Sequence, residues 1–307
     1  MKLFRLSLLL LFGLVISSQL IAMPSNDLED AINAQFKDKV LILLHPLDKE
    51  SLLFDADGKT LNGGSPGPWT VYGAIRVKRA KLKSDQLRLE GQRVFFRFES
   101  SRPDPFEFNL LKDRRQPPCK PMVEVEIKLN APLNSFAQAQ AILGKVFALN
   151  KQDFLDSIPE FWHAYARQNF DFDSAKLGEL LFNVTRPVQP SSPDNSKVVI
   201  SGVEIGPADP AIFRVGQQDV QPPHAIAVPE PAFSEAARYE KYKGVVVLYV
   251  VVDQEGNVAK VNVVKPLGLG LDEQAATGIK TWRFTPGVHN GQPVAVGLNI
   301  EVSFNLY

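Results

Sequence analysis

The sequence is short of the residue types that build chemical sites. Its 307 residues hold one cysteine, Cys119, so no internal disulfide and no cysteine metal cluster can form. Cys119 lies between Pro118 and Lys120, and no histidine is near it in sequence to activate the thiol. The four histidines, His45, His163, His224 and His289, stand singly, without a His-x-x-x-His pair. No glycine-rich phosphate loop is present, since Gly268-Leu269-Gly270 lacks a third glycine and reads as a turn before a helix. Asp55, Asp57 and Gly58 suggest the start of a calcium loop, but Pro66 stands where its bidentate glutamate is required. Lys plus Arg and Asp plus Glu each total 34, which gives no support for a nucleic-acid binder with a strongly basic face. Together these gaps predict a protein with no catalytic residues, no cofactor and no metal, and therefore not an enzyme.

What is present describes an ordinary globular chain, 45% hydrophobic and 22% charged, long enough for two folded units. At the amino end, Lys2 and Arg5 precede an apolar run over 6–16, followed by Ser17, Ser18 and Gln19. That order reads as an export signal over 1–22, cut after Ala22; residues 3–22 are also long enough to cross a thin bilayer as an uncleaved anchor. Either way the body of the protein faces the periplasm or an equivalent space outside the cytoplasm.

Residues 27–183 read as a β-rich domain with carboxy-terminal helices. A short helix is expected over 27–36 and strands over 40–44, 52–54, 94–98, 106–110 and 123–129, with period-two alternation starting at Trp69. An antiparallel sheet or small barrel accommodates these. Asn134 or Ser135 is positioned to cap a helix reaching about Leu149, and Asp153 to cap another that Pro159 strains or divides. The aromatic residues Phe154, Phe161, Trp162 and Tyr165 read as the seam of these helices against the sheet. Residues 184–219 read as a proline-rich linker, nine prolines falling between Pro187 and Pro231.

Residues 220–307 read as a compact α+β domain. Ser234 is a natural N-cap for a short helix that Gly244 closes. The run over 245–252 is a nearly all-apolar strand, and 253–257 is a hairpin loop with Gly256 as its left-handed residue. A returning strand over 258–265, a helix from Leu271 with Asp272 and Glu273 in its first turn, a turn at Asn290-Gly291 and a last strand over 294–306 complete it. Trp282 and Phe284 read as core.

The ordered set Pro231-Ala232-Phe233-Ser234, Ala237, Gly244, Asp253, Gly256, Val258, Leu271-Asp272, Ala275-Ala276, Trp282-Arg283-Phe284-Pro286 and Gly291-Gln292-Pro293-Val294 resembles the C-terminal domain of the TonB energy transducers. Phe233 stands where that family usually has tyrosine. The resemblance implies two short helices on a three-stranded antiparallel sheet. It also implies binding to an outer-membrane TonB-dependent transporter peptide by strand pairing, in support of energised uptake, with inner-membrane proton-driven motor proteins as further partners. The implied receiving strand is the last one, with Leu298, Ile300, Val302, Phe304 and Leu306 alternating against Asn299, Glu301, Ser303 and Asn305. An exposed strand edge offers backbone donors and acceptors to an extended peptide. The apolar amino-terminal segment has no histidine, whereas the family's membrane helix usually presents a serine and a histidine. That difference motivates an alternative, a non-energising periplasmic adaptor or scaffold that uses the same domain.

Overall fold

The structure, a computed structural model, describes residues 23–99, 102–106, 121–172, 180–182, 197–200, 203–207, 209, 211–216 and 219–306. The expected export segment over 1–22, Cys119 and most of the strand expected over 106–110 lie outside the described residues. Among the described residues, no helix is long and apolar enough to cross a membrane.

Apolar residues four apart fix the inner face of α1 (Ser25–Phe36), where Leu28, Ile32 and Phe36 are fully buried. After β1 (Val40–Leu43) and β2 (Ser51–Phe54), the alternation expected from Trp69 does not begin there. Residues Trp69–Tyr72 instead form one helical turn, α2, and Gly73 N donates to Trp69 O at 2.9 Å. Trp69, Thr70 and Val71 are all buried, a consecutive run that one face of a strand cannot supply. Alternation starts with β3 (Ala74–Leu82) and continues through β4 (Gln86–Glu99), β5 (Arg102–Phe106) and β6 (Met122–Lys128).

Ser135 Oγ accepts from Gln138 N and caps α3 (Phe136–Leu143), which stops short of Leu149 because residues 147–148 are drawn into β7 (Phe147–Ala148), paired with β1. Asn150, and not Asp153, caps α4 (Lys151–Ser157): its side-chain oxygen accepts from Asp153 N at 2.9 Å. Pro159 divides the helical stretch and opens α5 (Glu160–Asn169), as a residue without an amide hydrogen can only at a first turn. The first sheet runs in the order β2-β6-β4-β3-β1-β7, with β5 on β4, and does not close into a barrel. It is mixed, since β2 pairs with β6 in parallel.

The strands β8 (Phe170–Phe172) and β9 (Leu180–Phe182) pair with each other, as do β10 (Lys197–Ile200) and β11 (Val203–Pro207). Then come β12 (Ile212–Arg214), β13 (Val220–Gln221), β14 (His224–Ala227), α6 (Glu235–Glu240), β15 (Gly244–Val252), β16 (Val258–Lys265), α7 (Leu271–Ile279), β17 (Arg283–Thr285), β18 (Gly287–His289) and β19 (Gln292–Phe304). Ser234 caps α6 as expected, Ala237 N donating to its Oγ at 3.1 Å, but the left-handed residue that ends the helix is Lys241 rather than Gly244. Gly256 takes the left-handed position of the β15–β16 loop at φ +81°.

The carboxy-terminal sheet has six strands rather than three, in the order β13-β18-β19-β15-β16 with β12 on β19. The cause is length. β19 has 13 residues against nine in β15, so residues 292–295 project past β15; 292–294 pair with β18, and β12 lies along 295–297 on the side away from β15. Strands of two or three residues between prolines carry no readable alternation, so these partners are invisible in the sequence.

Two clusters make up the interior. One lies between α1, α3 and one face of the first sheet, with Leu41, Ile75, Leu89 and Val125 at its centre. The other is shared by both sheets. It runs from Ile42, Trp69, Val94 and Phe96 through Phe154, Trp162 and Tyr165 to Val263, Leu271 and Ile279. Trp69 anchors its aromatic half, with Phe96, Phe154, Trp162 and Phe170 at centroid distances of 5.3, 5.4, 5.2 and 5.8 Å. The aromatic residues of α4 and α5 thus pack inward, but against both sheets.

Candidate partner-binding edge

The apolar run of β15 leaves Val246, Leu248, Val250 and Val252 fully buried in the middle of the carboxy-terminal sheet. One side of β15 pairs with β16 and the other with β19, in register from Gly244–Phe304 to Val252–Val296. Val302 and Phe304 point inward at 3% and 2% exposure, Leu298 and Ile300 are half-buried, and Asn299, Glu301 and Ser303 face solvent. Leu306 lies beyond the strand and is exposed, so it does not continue the packed set. Phe304 meets Phe233 edge-on at 5.6 Å, and the Arg238 guanidinium sits 5.3 Å from the centre of the Phe233 ring.

The far side of β19 is divided. Residues 292–294 pair with β18 and residues 295–297 pair in parallel with β12. Beyond that point the chain after β12 turns away at Val215 and Gly216, the latter at φ +91°. Residues 298–304 have no ladder partner on this side among the described residues. At the opposite end of the sheet α5 packs against β16, and just past β16 Gly268 bridges to Arg97 of β4. Among the described residues, β19 therefore has a seven-residue stretch, 298–304, without a ladder partner on one side.

Behind the sheet is a junction that no short motif announces. Phe98 N donates to Leu267 O and Leu269 N donates to Phe96 O, both at 2.8 Å, and Gly270 N donates to Thr70 Oγ1 at 2.9 Å. The 266–270 turn that makes these bonds is held by Asp272, whose carboxylate oxygens accept from Leu267 N at 2.8 Å and Gly268 N at 2.6 Å. Beside it, Glu273 Oε1 accepts from Trp162 Nε1 at 3.1 Å, a contact between residues 111 positions apart. Glu273 Oε2 is out of reach of solvent and has no hydrogen-bond partner among the described residues. Burial pushes both acids up, Asp272 to about 7 and Glu273 to about 8, the latter also raised by the charge of Asp272. Both were expected in the first turn of the helix, beside its dipole; Asp272 is in addition fully buried, and Glu273 is half-buried with its carboxylate turned onto Trp162.

Other residues singled out by sequence have structural places. Asp55 Oδ1 accepts from Asp57 N and Lys59 N, which makes a turn. Trp282 Nε1 donates to Pro229 O at 3.1 Å, and the Phe213 and His289 rings lie 4.6 Å apart. No group of three His, Cys, Asp or Glu placed to hold a metal occurs among the described residues.

The family model described as Gram-negative bacterial TonB protein C-terminal matches residues 229–306. This segment is a TonB C-terminal domain segment. Protein TonB of Vibrio cholerae is 32% identical to the chain over 78 residues, 25% of this chain and 32% of that protein. The chain thus spans about a third of the length of the curated relative that it matches. The solution NMR structure of the Pseudomonas aeruginosa TonB CTD aligns over 31% of this chain and 97% of its own, at 16% identity and a TM-score of 0.23. The TonB segment begins just before α6 and takes in all of β15–β19. β12, β13 and β14 lie outside it.

Proposed function

We propose that the chain is a periplasm-facing TonB-like protein that binds outer-membrane transporters by strand pairing and so supports energised uptake. The observation that carries this reading is the open stretch of β19 from 298 to 304, on a strand whose other side is fully laddered to β15. An extended peptide laid along it acquires backbone partners on one side while Leu298 and Ile300 offer half-buried apolar contacts beside it. The TonB segment at residues 229–306 supports the choice of partner, a transporter peptide, with inner-membrane motor proteins as the energy source. Residues 220–307 are proposed as the binding domain, residues 184–219 as its connection, and 27–183 as a β-rich domain carried outside the cytoplasm by a cleaved signal or an anchor over 1–22.

Hydrogen exchange on the full chain tests this, with and without a synthetic transporter peptide. Selective slowing of the 298–304 amides is expected, with β16 unchanged. No change at 298–304 at saturating peptide overturns it.

The shared core between the two sheets favours the second reading, a non-energising adaptor, because a receptor-binding segment packed on the rest of the chain is poorly arranged to transmit pull. Retention in the inner membrane on fractionation speaks for the transducer, and release as a free mature protein beginning near Met23 speaks for the adaptor.

A further inference from the structure

The junction between α5 and α7 contains two adjacent acids and a tryptophan donor, and no basic group is bonded to either acid among the described residues. Neither acid is explained by strand pairing. We propose that Asp272 and Glu273 form a proton-sensitive latch, which holds the carboxy-terminal sheet against α5 and β4 while the pair keeps a proton and loosens that docking once both carboxyls are ionised.

The geometry carries this. Asp272 is fully buried and spends both oxygens on the backbone of the 266–270 turn. That turn is the piece that reaches β4 and α2, through Leu267, Leu269 and Gly270. A charge at Asp272 is therefore partly compensated by two amide donors. Glu273 has the Trp162 indole on one oxygen and the help of its own backbone N–H, while its other oxygen is shielded from solvent with nothing to bond. A buried carboxylate with an empty acceptor site loses its hydration without replacement, and here it also faces a second negative charge. The neutral acid avoids both costs. Opening the junction to admit water is the way to relieve them once the proton is gone.

Among the described residues, the surrounding groups do not offer another route. From α5 the ionisable neighbour is Tyr165, whose phenol is pushed well up, first by burial and then by the charge of Asp272, so it is neutral throughout. From β4 the nearby cation in sequence is Arg97, whose backbone bridges to Gly268; it does not figure among the causes that set either acid. From β16 the last residue is Lys265, which is exposed. From α2 and the start of α6 the contacting groups are hydroxyls, Thr70 to Gly270 N and Ser234 to Leu269 O.

The sign follows from linkage. An acid raised in the docked state holds more protons there than in the open state, so docking is firmest in acid and weakens as pH rises from about 4 towards about 8.

The test is hydrogen exchange on the full chain at a series of pH values, corrected for intrinsic exchange, following 160–169 and 267–280 against β3 as an internal reference. Between about pH 6 and about pH 9, junction protection is expected to fall by at least about tenfold relative to β3. Glu273→Gln keeps an acceptor for Trp162 but cannot ionise, and its profile is expected to be flat or much shallower. Trp162→Phe removes the side-chain donor that stabilises the Glu273 anion, and its alkaline loss is expected to exceed that of the wild type. A merely structural Glu273 would not produce this order. If Glu273→Gln fails to fold, the comparison of Trp162→Phe with the wild type still decides. So does a carbon-13 titration of the Glu273 carboxyl, expected well above the ordinary glutamate range. One common pH profile for all three proteins, or a Glu273 carboxyl that titrates at its ordinary value, overturns the proposal.

Discussion

Replacing Gly268 by alanine measures how firmly the two sheets are joined. Gly268 sits at φ +85°, and a β-carbon there would lie 2.1 Å from Phe96 O and 2.8 Å from Arg97 Cα. These are backbone atoms of β4, so neither side can swing away, and the junction has to open. Two costs combine. A left-handed alanine costs about 1–3 kcal/mol wherever it stands. Parting the turn from β4 also forfeits the bonds from Phe98 N to Leu267 O and from Leu269 N to Phe96 O, each contributing about 0.5–1.5 kcal/mol. Gly291→Ala supplies the control, because Gly291 has φ +77° with nothing within 4 Å of an added β-carbon. It pays the conformational cost alone. Urea denaturation of the full chain is expected to show Gly268→Ala less stable than Gly291→Ala by about 1–3 kcal/mol, together with faster exchange at 160–169. Equal losses in the two variants would refute a junction that contributes to stability.

Phe304→Ala, which empties a site 2% exposed beside Phe233, is expected to cost about 3–5 kcal/mol in the same assay. Ser234→Ala removes both the cap on Ala237 N and the bond to Leu269 O, with an expected loss of about 1–2 kcal/mol. Asp272→Asn retains one acceptor where two amides are held, so the 266–270 turn is expected to exchange faster at every pH, which amide mass spectrometry reads directly. Glu90 works in the opposite sense to the buried pair. Arg79 and then Lys81 hold it below the usual glutamate range, so its small, salt-screened contribution is lost as pH falls through that range, read as a salt-dependent acid limb in the denaturation midpoint.

Most elements were legible because they depend on neighbours in the chain. The alternation over 123–129 became β6, Ser135 and Ser234 cap the helices assigned to them, Pro159 divides two helices, and Gly256 takes its turn conformation. Misreadings fell where distant contacts outweighed local pattern. Trp69 reads as the start of a strand, yet its ring is the hub of an aromatic cluster that requires a helical turn. Residues 147–148 read as helix until β1 claims them. The strands that widen the carboxy-terminal sheet are too short to show a period at all.

The candidate site divides in the same way. Order and spacing of residues in the chain determined the TonB segment and the existence of its last strand, because motif residues and strand alternation are properties of consecutive positions. Which part of that strand lacks a ladder partner, and that Glu273 bonds to Trp162, were decided only by tertiary packing. Both depend on segments far apart in the chain coming together, and solvent exclusion between such surfaces has no signature in either one alone.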